Sequence, residues 1–114
     1  MKIMLVDDKL KRRQEIGKIL KDNGYRVVFA TNGQTALSLL KWHWVNMVLT
    51  DTNMPSMTGS ELAAKIALMR KRQPIVIGMS NREENRQLYQ HFWNKNEPIE
   101  KLLELIVKLT SKSP

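Results

Sequence analysis

The feature that most constrains this fold is the regular alternation of short apolar runs with longer segments of helical periodicity. The five candidate strands are Ile3–Val6, Arg26–Phe29, Val45–Thr50, Ile75–Met79 and Phe92–Trp93. Short apolar runs of this kind are typical of strands that are buried on both faces. Because helical segments separate them, the strands are predicted to pair in parallel through crossover connections.

Five helices are predicted between and after these strands. Apolar residues recur at helical spacing in 9–23, 34–41, 59–72 and 99–109, whereas the polar residues 82–91 predict only a short, weak helix. This order of elements fits an α/β, flavodoxin-like, doubly wound five-stranded parallel sheet, with strand order 2-1-3-4-5 and helices on both faces. We expect one domain over residues 1–110, followed by a tail or linker stub at 111–114.

Three acidic residues stand at the ends of two strands that are neighbours in this order. Asp7 and Asp8 follow the first strand, and Asp51 follows the third. Their carboxylates should converge at one edge of the sheet, where they repel one another unless a positive charge lies between them. No histidine or cysteine is near, and an all-oxygen ligand set suits Mg²⁺. Ser80 adds a hydroxyl at the end of the fourth strand, and such a combination is typical of phosphoryl transfer.

The composition excludes several classes of protein. The chain has no cysteine, which rules out disulfides, zinc–thiolate sites and thiol catalysis. It has no apolar run of membrane-spanning length and no signal-peptide pattern, so a cytoplasmic location without membrane contact is expected. The net charge is +8, but the basic clusters 9–13 and 70–72 are not interleaved with aromatic residues. Direct binding of nucleic acid is therefore not expected, and the clusters are solvated helix ends or a docking surface for an acidic partner.

Four segments together resemble the receiver domains of two-component response regulators, including the single-domain chemotaxis type. These segments are Val6–Asp8, Asn32–Gly33, Asp51–Gly59 and Ile77–Ser80. Each segment alone is weak evidence for the family, but four segments in order and at the family spacing are specific evidence. The resemblance covers nearly the whole chain. It implies a phosphorelay signalling protein rather than an enzyme.

The resemblance implies a role for each matched residue. Asp51 would accept a phosphoryl group from a histidine kinase or a phosphotransfer protein. Asp8 would bind Mg²⁺ directly and Asp7 largely through water, while Asn53 would give its backbone carbonyl to the metal. Ser80 would be the switch hydroxyl that moves toward the phosphoryl oxygens. A surface formed by the fourth helix, the fifth strand and the last helix would then change for a downstream protein.

One family feature is missing from its usual place. Receiver domains usually carry a Lys-Pro pair after the fifth strand, whereas this chain has Glu97-Pro98 after a segment that is several residues shorter than usual. If Lys95 replaces the family lysine, Phe92 falls at the position of the aromatic switch residue. If the register is held at Pro98, Asn94 falls there instead and the site lacks its lysine. We expect Lys95, because it keeps a cation near three carboxylates.

Two other functions are left open. A pseudo-receiver would use the same fold as a phosphorylation-independent interaction module, and Glu97 and the shortened segment favour it. A small Mg²⁺-dependent phosphatase with an Asp nucleophile would need a second general acid two residues later, where this chain has Asn53.

Leu105 and Val107 widen the apolar stripe of the last helix, either as core residues or as the face of a homodimer or partner complex.

Overall fold

A five-stranded parallel sheet forms the centre of the protein, in a computed structural model that describes residues 1–69 and 72–111. The strands are β1 (Lys2–Val6), β2 (Arg26–Ala30), β3 (Met47–Asp51), β4 (Ile75–Ser80) and β5 (Phe92–Asn94). Their order is β2-β1-β3-β4-β5, and every neighbouring pair is parallel. The predicted doubly wound topology is confirmed, so β1 and β3 end side by side.

Helices cover both faces of the sheet, as predicted. They are α1 (Leu10–Asp22), α2 (Gly33–Leu40), α3 (Gly59–Ala67) and α4 (Ile99–Thr110). The buried side chains of α1 and α4 pack with Leu5 and Leu49 on one face. Those of α2 and α3 pack with Val6 and Val48 on the other face. Successive strand residues thus enter opposite cores, which explains why the strands are apolar throughout.

Side-chain caps start two of the helices beside the carboxyl ends of the strands. At the start of α2, Asn32 Oδ1 accepts a hydrogen bond from the Thr35 N–H at 2.8 Å. At the start of α3, Thr58 and Glu61 form a reciprocal capping box, with bonds of 3.2 and 2.9 Å. These bonds satisfy N–H groups that have no partner within the helix, and they fix the loops around the edge of the sheet.

Two helix predictions differ from the structure. Helix α3 was expected to run to the basic cluster near Arg72, but it ends at Ala67, and Leu68 is 81% exposed. The side chain of Gln73 donates to the Ala67 carbonyl at 2.9 Å, which satisfies a carbonyl at the helix end. Leu10, counted among the apolar residues at helical spacing in 9–23, is 58% exposed, because it is the first residue of α1 and lies outside its packed stripe.

The predicted helix over 82–91 is a 3-10 helix, Glu83–Leu88. Only residues 81–91 connect β4 to β5, and a crossover between parallel strands normally takes a dozen residues or more. A 3-10 helix rises faster per residue than an α-helix, so it spans the same distance with fewer residues. The strand that follows, β5, is three residues long.

Of the two residues that widen the apolar stripe of the last helix, one packs against the core and the other lies at the surface. Leu105 is partly buried against the core cluster, whereas Val107 is 54% exposed. Val107 lies with Leu103 in an open apolar patch on the outer side of α4. No helix in the described part of the chain is long and apolar enough to cross a membrane. Residues 70 and 71 of the predicted basic cluster, and 112–114 of the predicted tail, lie outside the described residues.

Candidate phosphoacceptor site

The carboxylates of Asp7, Asp8 and Asp51 lie together at the carboxyl edge of the sheet. Asp7 and Asp8 directly follow β1, and the Asp7 N–H continues the strand pairing by donating to the Ala30 carbonyl of β2 at 3.1 Å. Asp51 is the last residue of β3, which pairs with β1. One carboxylate oxygen from each residue lies within 4.8 Å of the other two. The strand order therefore brings the three predicted acidic residues into one cluster.

Two oxygens of this cluster are buried without a hydrogen-bond partner among the described residues. They are Asp7 Oδ2 and Asp8 Oδ1. Burial is the main reason that the pKa of Asp7 is raised above its ordinary value of 3.8, and the charge of Asp51 acts in the same direction. A buried carboxylate without a donor is costly unless a cation compensates it. The cluster therefore fits a divalent cation, and its oxygen ligands are those that Mg²⁺ prefers.

Lys95 supplies a cation to this cluster from the end of β5. Its Nζ lies 2.7 Å from Asp51 Oδ1, and both side chains are largely buried. The Lys95 N–H donates to the Ser80 carbonyl at 2.8 Å, which extends the pairing of β4 with β5 and fixes where the side chain begins. The ion pair is therefore held in place by the sheet.

Glu97, which precedes Pro98 where the family usually has its lysine, makes its polar contacts with groups outside the acidic cluster. Its Oε1 accepts a hydrogen bond from the Asn94 N–H at 3.3 Å and lies 3.8 Å from Arg86 Nη2. The structure therefore places Lys95, rather than Glu97, beside Asp51.

A second cation at the site is Arg12, in the first turn of α1, whose position sequence reasoning missed. Its Nη1 lies 3.4 Å from Asp51 Oδ2 and 3.7 Å from Asp7 Oδ2. The first contact is a long hydrogen bond, and the second is an ion pair beyond hydrogen-bonding distance. The spacing did contain a signal, because Arg12 follows Asp8 by about one helical turn and a helix starting there brings it back toward the strand ends.

Ser80 ends β4 with its hydroxyl engaged by the following loop. Its Oγ accepts hydrogen bonds from the Arg82 N–H at 3.0 Å and from Asn85 Nδ2 at 2.8 Å. In both bonds Ser80 is the acceptor, so its hydroxyl proton is free for another oxygen. Asn85 belongs to the 3-10 helix, and Ser80 is therefore linked directly to the shortened segment.

Tyr89 and Thr52 form a second connection, which sequence reasoning also missed. Tyr89 Oη lies 2.8 Å from Thr52 Oγ1, and Thr52 Oγ1 donates to the Met79 carbonyl at 2.8 Å. The Tyr89 ring lies so close to Gly78 that a Cβ there would be 2.3 Å from ring atoms. A Cβ on Gly59 would be 2.5 Å from Tyr89 Oη. The signal in the sequence was two glycines beside the site and one tyrosine in a polar segment.

Two further predicted positions lie around this cluster. Asn53, expected to offer its backbone carbonyl to a metal, is exposed in the loop that joins β3 to α3. Phe92, expected at the aromatic position if Lys95 takes the lysine role, is buried in β5 opposite Gly78. Its ring stacks on that of Tyr89 with the centroids 6.0 Å apart. Phe92 therefore packs inside the protein, behind the 3-10 helix.

Comparison with known proteins agrees with this architecture. The sequence model of the family described as "Response regulator receiver domain" matches residues 3–96. The chain belongs to this family. It is therefore a receiver domain of two-component signalling, and its predicted family and fold are confirmed.

Among its relatives, the receiver domain resembles a two-component response regulator, ORR6, of Oryza sativa subsp. japonica. The two are 38% identical over 91 residues, which cover 75% of this chain and 54% of the rice protein. The chain thus spans about half the length of that relative.

Among solved structures, the receiver domain resembles the response regulator TrrA of Thermotoga maritima, in complex with Mg²⁺-BeF. The TM-score is 0.86 at 25% identity, over 95% of this chain and 97% of that one. The chemotaxis response regulator CheY4 of Vibrio cholerae gives a TM-score of 0.84 at 26% identity, again over 95% and 97% of the two chains.

Proposed function

We propose that this receiver domain accepts a phosphoryl group on Asp51 from a histidine kinase or a histidine phosphotransfer protein, with Mg²⁺ bound in the acidic cluster. The observation that carries the proposal is the position of Asp51, which ends β3 beside the carboxylates of Asp7 and Asp8 and 2.7 Å from Lys95 Nζ. The similar Thermotoga structure contains Mg²⁺-BeF, and beryllofluoride mimics a phosphoryl group, which supports the same chemistry for this chain.

In the proposed step, an oxygen of Asp51 attacks the phosphorus of a phosphohistidine. The O–P bond forms as the P–N bond breaks, and the imidazole leaves with the bonding electron pair. Lys95 lies close enough to offset the negative charge of the transferred group. Ser80 then donates its hydroxyl proton to a phosphoryl oxygen, since neither hydrogen bond to its Oγ uses that proton.

Four groups are assigned to the metal in this proposal. Asp8 and Asp51 would bind it directly, Asp7 would bind it largely through water, and Asn53 would offer its backbone carbonyl. When bound, Mg²⁺ would neutralise charge on the phosphoryl oxygens. The assignment is supported by the two buried oxygens that have no donor among the described residues, Asp7 Oδ2 and Asp8 Oδ1.

The proposed output passes through the 3-10 helix. A Ser80 hydroxyl drawn toward a phosphoryl group would weaken its hydrogen bond with Asn85 and so release one end of Glu83–Leu88. That helix, β5 and α4 form the surface proposed for a downstream protein. The domain would act in the cytoplasm as a signalling module rather than an enzyme, and the apolar patch at Leu103 and Val107 is the candidate face for a homodimer.

Labelling with radioactive acetyl phosphate tests the proposal. Wild-type protein should take up label only with Mg²⁺, and Asp51→Asn should take up none because the nucleophile is gone. Asp22→Asn is a matched control, since Asp22 is an exposed carboxylate at the end of α1 that pairs with Lys18. Label retained in Asp51→Asn would assign the acceptor to another residue.

A wild-type protein that stays unlabelled would favour the pseudo-receiver. A second measurement distinguishes a phosphoacceptor from a pseudo-receiver without requiring phosphoryl transfer. Beryllofluoride titration should change the fluorescence of Trp93, which is buried in β5. Because Trp42 and Trp44 are exposed and would dilute this signal, the titration is best done in a variant with phenylalanine at both positions.

A further inference from the structure

The guanidinium of Arg12 lies beside two of the three carboxylates of the acidic cluster. We infer that Arg12 is an internal counter-ion that competes with Mg²⁺ for the carboxylates of Asp7 and Asp51 and so lowers the Mg²⁺ affinity of this receiver domain. The inference rests on the proposed function, because it takes the acidic cluster to be the Mg²⁺ site.

The contacts of Asp51 show which of its oxygens is involved. Its Oδ1 already accepts from the Thr52 N–H at 3.0 Å and from Lys95 Nζ at 2.7 Å. Its Oδ2 is therefore the oxygen left for a metal. Arg12 Nη1 stands beside that oxygen, at 3.4 Å.

The same guanidinium also faces the second carboxylate of the cluster. Arg12 Nη1 lies 3.7 Å from Asp7 Oδ2, one of the two buried oxygens without a hydrogen-bond partner among the described residues. A single positive charge thus sits between two carboxylates that otherwise repel each other. It compensates them only in part, because one contact is long and the other is not a hydrogen bond.

Arg12 is free to leave this position, unlike the neighbouring arginine. Arg13 Nη1 donates to the backbone carbonyl of Asp7 at 2.8 Å, a bond that supports the end of β1. The Arg12 side chain is 35% exposed, and among the described residues its ion pairs are the two given above. It can therefore rotate into solvent when a divalent cation takes the carboxylates, and the energy of its two ion pairs is then lost.

The replacement of Arg12 by the metal determines how much Arg12 should lower the Mg²⁺ affinity. Partly exposed ion pairs each contribute little, so breaking the two that Arg12 makes should weaken Mg²⁺ binding about tenfold. Removing the charge at position 12 should therefore tighten Mg²⁺ binding by about that factor. The apo protein should become less stable at the same time, because Asp7 and Asp51 lose their shared cation.

Calorimetric titration of the full 114-residue chain with MgCl₂ tests the inference. Arg12→Gln should bind Mg²⁺ more tightly than wild type, and Arg12→Lys, which keeps the charge, should restore an affinity near that of wild type. Lys11→Gln is the matched control, because Lys11 is an exposed cation one residue earlier in α1 and should leave the affinity unchanged. Thermal unfolding gives a second readout, in which Mg²⁺ should raise the Tm of Arg12→Gln more than that of wild type.

Each result distinguishes this inference from the proposed function. Equal or weaker Mg²⁺ binding by Arg12→Gln would overturn the competition while leaving the metal site in place. Absence of Mg²⁺ binding by both wild type and Arg12→Gln would overturn the competition and the proposed metal site together. If Arg12→Gln fails to fold in metal-free buffer, rescue by Mg²⁺ supports the inference and lack of rescue counts against it.

Discussion

Tyr89 Oη lies 2.8 Å from Thr52 Oγ1, and this bond joins the shortened segment after the 3-10 helix to the residue that follows Asp51. Because Thr52 Oγ1 gives its proton to the Met79 carbonyl, Tyr89 is the donor. The pKa of Tyr89 is raised, chiefly by burial. A single partly buried side chain thus connects the 3-10 segment with β3, and through Thr52 with β4.

Tyr89→Phe removes this hydroxyl and keeps the ring. We expect the free energy of unfolding to fall by about 1 kcal/mol, the usual net value of one hydrogen bond with a buried acceptor. Urea unfolding of the two proteins measures the difference. Tyr25→Phe is the control, since Tyr25 is partly buried and its hydroxyl makes no hydrogen bond in the described structure. A Tyr89→Phe protein as stable as wild type would show that the bond adds nothing to stability.

Gly78→Ala should destabilise the protein because the new Cβ would lie 2.3 Å from the Tyr89 ring. Overpacking of this kind costs about 1–3 kcal/mol. A double-mutant cycle with Tyr89→Ala isolates the cause, since the alanine at position 78 should cost much less once the ring is gone. If the two substitutions are additive in urea unfolding, the clash with Tyr89 is not what excludes a side chain at position 78.

Lys95→Met removes the cation that contacts Asp51 Oδ1. We expect beryllofluoride to bind about tenfold more weakly or worse, because a donor to the transferred group is lost. Mg²⁺ binding should change less, since the carboxylates of Asp7 and Asp8 remain. Fluorescence titration with beryllofluoride and calorimetric titration with Mg²⁺ measure the two effects separately. Lys101→Met is the control, because Lys101 forms an exposed pair with Glu104. A Lys95→Met protein that responds like wild type would deny Lys95 the role of the family lysine.

Asp7→Asn should stabilise the metal-free protein at neutral pH. Burial raises the pKa of Asp7, so the folded state holds its proton more tightly than the unfolded state does. The contribution of this group to stability is therefore complete below its ordinary value of 3.8 and is lost as the pH rises through the raised pKa. The asparagine variant should gain on the order of 1 kcal/mol at pH 7. Urea unfolding in EDTA at several pH values should show this gain shrinking toward pH 4, and a gain independent of pH would contradict the explanation.

The positions of Asp7, Asp8 and Asp51 could be predicted from the sequence because the strand order alone determines where parallel strands end. The place of Lys95 was expected from its charge alone, since the sequence left two registers open. It depends on the hydrogen bond from its N–H to the Ser80 carbonyl, which extends the short strand β5 by one residue. Pairing at the end of a three-residue strand leaves no pattern of apolar residues to identify it.

Arg12 and Tyr89 were missed for a different reason. Both act through long side chains whose direction depends on tertiary packing. A basic cluster at a helix start is usually solvated, and only the position of α1 relative to β3 brings Arg12 to Asp51. The ring of Tyr89 enters the protein because Gly78 leaves room for it. The shortness of the segment before Glu97 was visible in the sequence, but its conversion to a 3-10 helix was not.

The 3-10 helix at Glu83–Leu88 also bears on pathway fidelity. A full α-helix offers a partner a ridge of side chains repeating at i, i+4 and i+7, whereas a 3-10 helix of six residues places i and i+3 in line and ends after two turns. A protein adapted to bind the longer helix of another receiver would find no matching ridge of side chains here. A partner adapted to this 3-10 helix would likewise fit a longer helix poorly. We expect the shortened segment to insulate this pathway from cross-talk with receivers of ordinary length.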